Sequence, residues 1–159
     1  MARFVAILFI LSLFLGSNGL SQDFSIVAKD LEYSFYGKEG FLWKLKASFF
    51  KRDKEGSFLA EGLNVVSPTK GINISSKRGY YYPKEDKMVF QGNVKLITND
   101  HGEVYTEELI FFPKKNYLFT EREVLVKKKG MMVKGQGMTY QIDQGNFKVQ
   151  GRAQFQMSL

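Results

Sequence analysis

The stretch Met88-Val-Phe-Gln-Gly-Asn-Val-Lys-Leu96 alternates apolar and polar side chains around a central glycine. Successive side chains of an extended chain point to opposite faces, so Met88, Phe90, Val94 and Leu96 share one face. This period of two predicts a β-strand with one buried face and one solvated face.

Close variants of this stretch recur about every thirty residues. The matching small or apolar positions are Phe58, Ala60, Gly62 and Val66, then Leu118, Val124 and Val126, then Phe147, Val149, Gly151, Ala153 and Phe155. A second apolar pattern precedes each copy, and turn-rich segments such as residues 83–87 and 143–146 separate the two patterns. The sequence therefore predicts a stack of β-hairpins, each of which needs its neighbours to bury its apolar face.

Composition favours one all-β domain over residues 23–159, behind an N-terminal segment of residues 1–22. The chain has 159 residues with 15 Phe, 8 Tyr and 3 Pro, and we find no helical pattern after the N-terminal segment. The sequence contains no Cys, which excludes disulfides and thiolate metal sites.

The sequence offers no set of side chains arranged for catalysis, so we expect a protein that is not an enzyme. Glu107 and Glu108 are adjacent in a predicted strand and point to opposite faces, so they cannot act as paired carboxylates. The single histidine, His101, precedes Gly102 in a turn, and we expect it to be solvated, since a metal site needs further ligands. We expect neither a metal nor a cofactor.

The formal net charge of +7 indicates an anionic partner. Lysine-rich turns carry much of the charge, and they either contact phosphates or an anionic membrane surface or are simply solvated. These turn residues are Lys51, Arg52 and Lys54, then Lys114 and Lys115, then Lys127, Lys128 and Lys129.

The N-terminus carries an export signature, because residues 4–15 form an uncharged apolar run directly after Arg3. Ser17 and Gly19 fit a cleavage site that would release a soluble protein. Alternatively, residues 4–22 are just long enough to anchor the chain in a bilayer, with the domain outside. Both fates stay open, and export in either case argues against a nucleic-acid partner.

Five short motifs occur in a defined order: Trp43-x-Leu45-x-Ala47, Ser76-x-x-Gly79-x-Tyr81-x-Pro83, Gly92-Asn93-Val94, Gly135-x-Gly137-Met138 and Phe147-x-Val149-x-Gly151. Together they resemble the LptC family, the periplasmic components of the lipopolysaccharide export machine. The resemblance covers residues 24–157 and the N-terminal hydrophobic segment. Arg52 and Arg122 depart from it, replacing an aromatic residue and a glycine, which predicts that a strand frays or the sheet opens there.

The resemblance implies an open β-jellyroll in which two antiparallel sheets enclose an apolar interior, with an N-terminal hydrophobic helix as an inner-membrane anchor. It implies a protein that accepts lipopolysaccharide from an inner-membrane ABC transporter and passes it to an LptA-like periplasmic bridge protein for outer-membrane assembly. The first strand, residues 24–35, would meet the transporter. The last strand, residues 146–157, would dock the bridge protein through Phe147, Val149, Gly151, Ala153 and Phe155.

The inward faces of the predicted strands supply the expected lipid-binding interior. Its members are Phe58, Tyr81, Met88, Phe90, Val94, Leu96, Phe111, Leu118, Val124, Met138, Tyr140, Phe147, Val149 and Phe155. An ordinary two-layer core would use the same side chains, so the pattern does not separate a groove from a filled core.

Two other functions compete with this one. A cleaved signal segment would favour a soluble LptA-like bridge protein, although the tryptophan motif favours LptC. A secreted β-repeat scaffold would associate with itself through the same strands and transfer no lipid.

Overall fold

The computed structural model describes residues 26–36 and 42–157, which form ten β-strands. The strands are β1 (Ile26–Tyr36), β2 (Leu42–Arg52), β3 (Phe58–Ser67), β4 (Ile72–Tyr82), β5 (Lys87–Thr98), β6 (Gly102–Phe112), β7 (Tyr117–Lys128), β8 (Met131–Gln141), β9 (Asn146–Val149) and β10 (Gln154–Met157). Within these ranges the only helical turn is the 3-10 segment Pro113–Lys115. The N-terminal segment, residues 1–22, lies outside the described residues.

Every strand up to β8 pairs in antiparallel fashion with the next strand in the chain, which confirms the predicted stack of hairpins. The strand predicted over residues 146–157 is instead two short strands, and both pair with β8. Between them the register against β8 shifts by one residue, because Val149 faces Met138 and Gln154 faces Lys134. Gly151, with a φ of +75°, lies at this irregularity.

Register shifts also interrupt β5 and β7 near their midpoints. The extra residue lies in Gly92–Asn93 of β5 and in Glu121–Arg122 of β7, and each shift occurs against both neighbouring strands. A β-bulge bends its strand and increases the local twist. The prediction that a strand frays or the sheet opens at Arg52 and Arg122 is wrong: Arg122 lies in a bulge of an unbroken β7, with pairing to β8 resuming at Glu123, and Arg52 pairs with both Ile26 and Phe58.

Contacts between distant strands show that the sheet folds over its own apolar face. The rings of Trp43 in β2 and Phe111 in β6 lie 5.3 Å apart. Four strand spacings separate β2 from β6, which is about 19 Å along a flat sheet. The two layers that the jellyroll resemblance implies are therefore the two halves of one continuous sheet.

The line along which the sheet folds over runs across the strands. One end of an early strand therefore meets the opposite end of a later strand. We call the turns after β3, β5 and β7 the odd turns, and those after β2, β4, β6 and β8 the even turns. His101, in the odd turn after β5, stacks 5.0 Å from Phe147 at the even-turn end of β9. Lys70, in the odd turn after β3, reaches Asn116 and Asp143 in two even turns, with 3.8 Å between Nζ and the Asp143 carboxylate. The odd-turn half of a strand thus covers the even-turn half of strands that come three or more places later in the chain.

We expect Phe111→Ala to lower the free energy of unfolding by about 3–5 kcal/mol, because Phe111 is fully buried between the layers. Phe112→Ala, on the outer face of the same strand, removes only exterior ring contacts and should cost no more than about 1 kcal/mol. Urea denaturation of both variants measures the difference. Equal costs would contradict the folded-over arrangement.

Candidate functional site

The sequence predicted fourteen interior residues, and thirteen of them lie in the core or pack against it. Nine are buried: Met88, Phe90, Val94, Leu96, Phe111, Leu118, Val124, Met138 and Tyr140. Phe58, Tyr81, Phe147 and Val149 are half-buried at its margins. A lipid can enter this interior only where its apolar surface is incompletely covered, so the geometry of its two ends matters as well as that of its centre.

The prediction for Phe155 is wrong, because this side chain is 59% exposed. Phe155 lies in β10, beyond the bulge at Gly151, and the whole of β10 is exposed. It pairs with Val133 of β8, where none of the described strands supplies a covering layer. Position in the fold, rather than the alternation pattern, decides its exposure.

The middle of the interior is packed from both sides. Ala60, Phe90, Leu109 and Met138 have no accessible surface, and the Trp43 ring lies against Phe111. The alternation therefore describes a filled core in the centre. Open space occurs instead at the C-terminal end.

A cavity of about 220 Å³ opens between β7, β8 and β9 at this end. We call it the C-terminal mouth, and its lining is His101, Val126, Lys128, Met131, Val133, Phe147 and Val149. Val126 belongs to the core, and Val133, Phe147 and Val149 pack against the core. The mouth is therefore continuous with the apolar interior, and a wider groove of about 530 Å³ adjoins it around the turn Lys129–Gly130.

The N-terminal end carries a second incompletely covered apolar surface. The rings of Phe50, Phe58 and Tyr81 form a row across β2, β3 and β4, with centroids 5.1 Å and 5.3 Å apart. We call these three residues the N-terminal aromatic row. All three are half-buried, since none of the strands that the structure describes precedes them far enough in the chain to cover the even-turn ends of β2 to β4.

Tyrosines at both ends of the interior are held neutral. Burial raises the pKa of Tyr81, and the Asp86 carboxylate, 3.3 Å from its hydroxyl, raises that pKa further. Burial also raises the pKa of Tyr140, and the negative charge of Asp100 acts in the same direction. Neither end of the interior therefore gains a phenolate charge near neutral pH.

His101 is not the solvated turn residue that the sequence predicted. Its ring is half-buried, stacks at 12° on Phe147 and meets the edge of Tyr140 at 5.3 Å. The turn position is correct, but the folding of the sheet places this turn over β8 and β9. Nothing in the Asn-Asp-His-Gly sequence signals that contact.

Within residues 26–36 and 42–157, the sheet ends in two edges without a partner strand, β1 on one side and β9 with β10 on the other. Gln150 points its backbone groups toward β8, donating to Gly137 and accepting from Gln136. Backbone groups alternate in direction along a strand, so the N–H of Val149 faces the open edge. Of the predicted docking residues, Phe147 and Val149 lie in β9, Gly151 and Ala153 in the bulged connection, and Phe155 in β10.

Among the described residues, no helix has the length and apolar character needed to cross a bilayer. The predicted hydrophobic helix belongs to residues 1–22, so the anchor and its cleaved alternative stay predictions.

Comparison with known proteins identifies one sequence family. The family model described as "Lipopolysaccharide-assembly, LptC-related" matches residues 5–157 of this chain. No curated protein sequence matches it.

Among solved structures, the chain is similar to LptH from Pseudomonas aeruginosa, described as the LptA-homologous periplasmic component of the lipopolysaccharide transport device. The alignment covers 87% of this chain and 98% of LptH, with a TM-score of 0.55 and 9% identity. At that identity the likeness shows a shared fold.

We expect His101→Ala to lower the free energy of unfolding by about 1 kcal/mol, because it removes two ring contacts that tie the odd turn after β5 to β8 and β9. His101→Phe keeps a ring in the same place and should retain most of that stability. Urea denaturation measures both. An unchanged His101→Ala variant would mean that the stack contributes nothing.

Proposed function

The chain belongs to the LptC-related family of lipopolysaccharide-assembly proteins, and on this premise we propose that it is a non-enzymatic lipopolysaccharide conduit. In this proposal the protein accepts lipopolysaccharide from an inner-membrane ABC transporter and passes it to an LptA-like periplasmic bridge protein. Residues 1–22 hold the domain at the inner membrane.

One observation carries the proposal: the apolar interior reaches both ends of the sheet and is incompletely covered at each. The N-terminal aromatic row marks one end, and the C-terminal mouth marks the other. Transfer of each acyl CH₂ from water onto such surface contributes about 0.8 kcal/mol, so a lipid with several acyl chains gains strongly from it. A closed sandwich would offer no such surface at its ends.

The two free edges supply a way to join this interior to other proteins. In the proposal, β1 pairs with the periplasmic domain of the transporter, and β9 with β10 pairs with the bridge protein. Strand addition on an edge continues the sheet, and the partner's apolar face then continues the interior. LptH shares the fold, which supports a chain of similar units joined in this way.

Photocrosslinking in cells tests the conduit. We expect a photoreactive amino acid at Phe90 or Phe147 to capture lipopolysaccharide while the transporter is active, because both residues belong to or pack against the apolar interior. Phe119 is the matched control, a half-buried aromatic residue between the inward-facing Leu118 and Thr120 and therefore on the outer face.

Antibody to lipopolysaccharide detects the adduct, and the mass of the protein shows whether residues 1–22 are retained. Absence of adducts at both interior positions, from folded and exported protein, would overturn the conduit and favour a β-repeat scaffold. Such a scaffold would self-associate without any lipid preference.

The docking edge has its own test in Val149→Pro. Proline removes the outward N–H of Val149 and leaves the bonds to β8 intact, so the domain should fold normally. Binding to the bridge protein should fall about tenfold or more, because the docking strand loses a hydrogen bond and meets the proline ring. Val149→Thr keeps the N–H and should bind normally, and unchanged binding by Val149→Pro would reject β9 as the docking strand.

A further inference from the structure

We propose that the C-terminal mouth binds the phosphate of a phosphorylated amphiphile at Lys128 and Lys129, while an acyl chain lies on the apolar floor of the mouth. This inference rests on the proposed conduit function and adds a headgroup site to it. The ligand class follows from two surfaces that meet at one place, an apolar cavity and a cationic rim.

The floor and the rim share residues. Lys128 and Met131 line both the mouth and the wider groove around the turn Lys129–Gly130. An amphiphile with its apolar part in the mouth would therefore have the Lys128 side chain beside it. Lys127 and Lys129 lie on the same groove, so three consecutive cations border the entrance.

These cations are not neutralised by nearby carboxylates. Within the described ranges, no carboxylate oxygen lies within 4.0 Å of the Nζ atoms of Lys127, Lys128 or Lys129. The Lys128 ammonium donates to the backbone carbonyl of Asp100, and Lys127 lies 5.4 Å from the centre of the Tyr105 ring. Both contacts leave the positive charge available to an anion.

Two acidic residues lie near these cations: Glu103, which lines the groove, and Asp100, whose backbone carbonyl contacts Lys128. The Glu103 carboxylate accepts a hydrogen bond from Tyr105 at 2.5 Å and lies 3.9 Å from Lys95. The negative charge of Asp100 raises the pKa of Tyr140, and among the described residues its carboxylate lies within 4.0 Å of none of these three ammonium groups. Phosphate oxygens are strong acceptors for ammonium groups, and neither carboxylate already occupies Lys128 or Lys129.

Backbone conformation sets Lys129 apart. Lys129 and Gly130 are a two-residue hairpin turn in which both φ angles are positive, +43° and +79°. Asn, Asp and Gly are the residues that favour this turn. The other described non-glycine residues with positive φ are all of these kinds: Asp30, Asp86, Asn93 and Asn116.

Lysine is thus a poor choice for the turn itself, and its charge accounts for its presence. A residue that breaks the local conformational rule is expected where function requires a particular side chain. Lys129 combines such a break with a place on the rim of an apolar cavity.

The test compares two amphiphiles, an acylated glucosamine disaccharide that carries phosphate and the same molecule without phosphate. We expect the double variant Lys128→Gln/Lys129→Gln to bind the phosphorylated amphiphile about tenfold or more weakly, from two lost charge-assisted contacts, and the phosphate-free one as the wild type does. Inorganic phosphate alone should bind weakly to the wild type, because it lacks the apolar part. Added salt should weaken wild-type binding of the phosphorylated amphiphile more than that of its counterpart.

The matched control is Lys114→Gln/Lys115→Gln, which removes the same charge from the even turn after β6. If both double variants lost the same affinity for the phosphorylated amphiphile, the loss would follow from the net charge of the protein, and the headgroup site would be overturned. Unchanged affinity of Lys128→Gln/Lys129→Gln would overturn it while leaving the conduit intact. So would a loss confined to binding of the bridge protein, which would assign the lysines to protein docking. A wild-type protein that binds neither amphiphile would overturn the conduit and the headgroup site together.

Discussion

The structure depends on one constraint: a sheet with a continuous apolar face must cover that face, and the described chain supplies no helix to cover it. The sheet therefore folds over itself, with the bulges of β5 and β7 near the middle of their strands. Contacts of Trp43 with Phe111, His101 with Phe147 and Lys70 with Asn116 join the two halves beside the buried core. Each of them joins residues that the strand order alone would keep far apart.

Each half-strand covers strands that lie three or more places away in the chain. This offset also explains why the apolar face is incompletely covered at both ends of the sheet. The centre of the sheet has a covering half on each side, so Phe90 and Leu109 lose all contact with water. The N-terminal aromatic row would need covering strands earlier in the chain than any that the structure describes, and the odd-turn residues of the C-terminal mouth would need later ones. The two openings are thus a product of the offset, and they lie next to the two edges of the sheet.

The inward face could be predicted from the sequence because burial of one face imposes a period of two on each strand. Nine predicted interior residues are buried, from Met88 in β5 to Tyr140 in β8. Phe155 and His101 could not be placed correctly, because their exposure depends on the half of the sheet that lies above them. The C-terminal mouth was missed for the same reason, since His101 reaches Phe147 and closes one side of the mouth only after the sheet has folded. The lysine-rich turn was visible in the sequence, but its neighbouring apolar cavity was not.

The unbroken sequential pairing from β1 to β8 has an evolutionary consequence. Each ladder joins strands that are consecutive in the chain, so a hairpin of about thirty residues can be gained or lost between turns without rethreading the remainder. The covering offset is re-established by the strands that follow. Proteins built on this plan can therefore change length by duplication of whole hairpins, so that the length of the sheet changes in discrete steps.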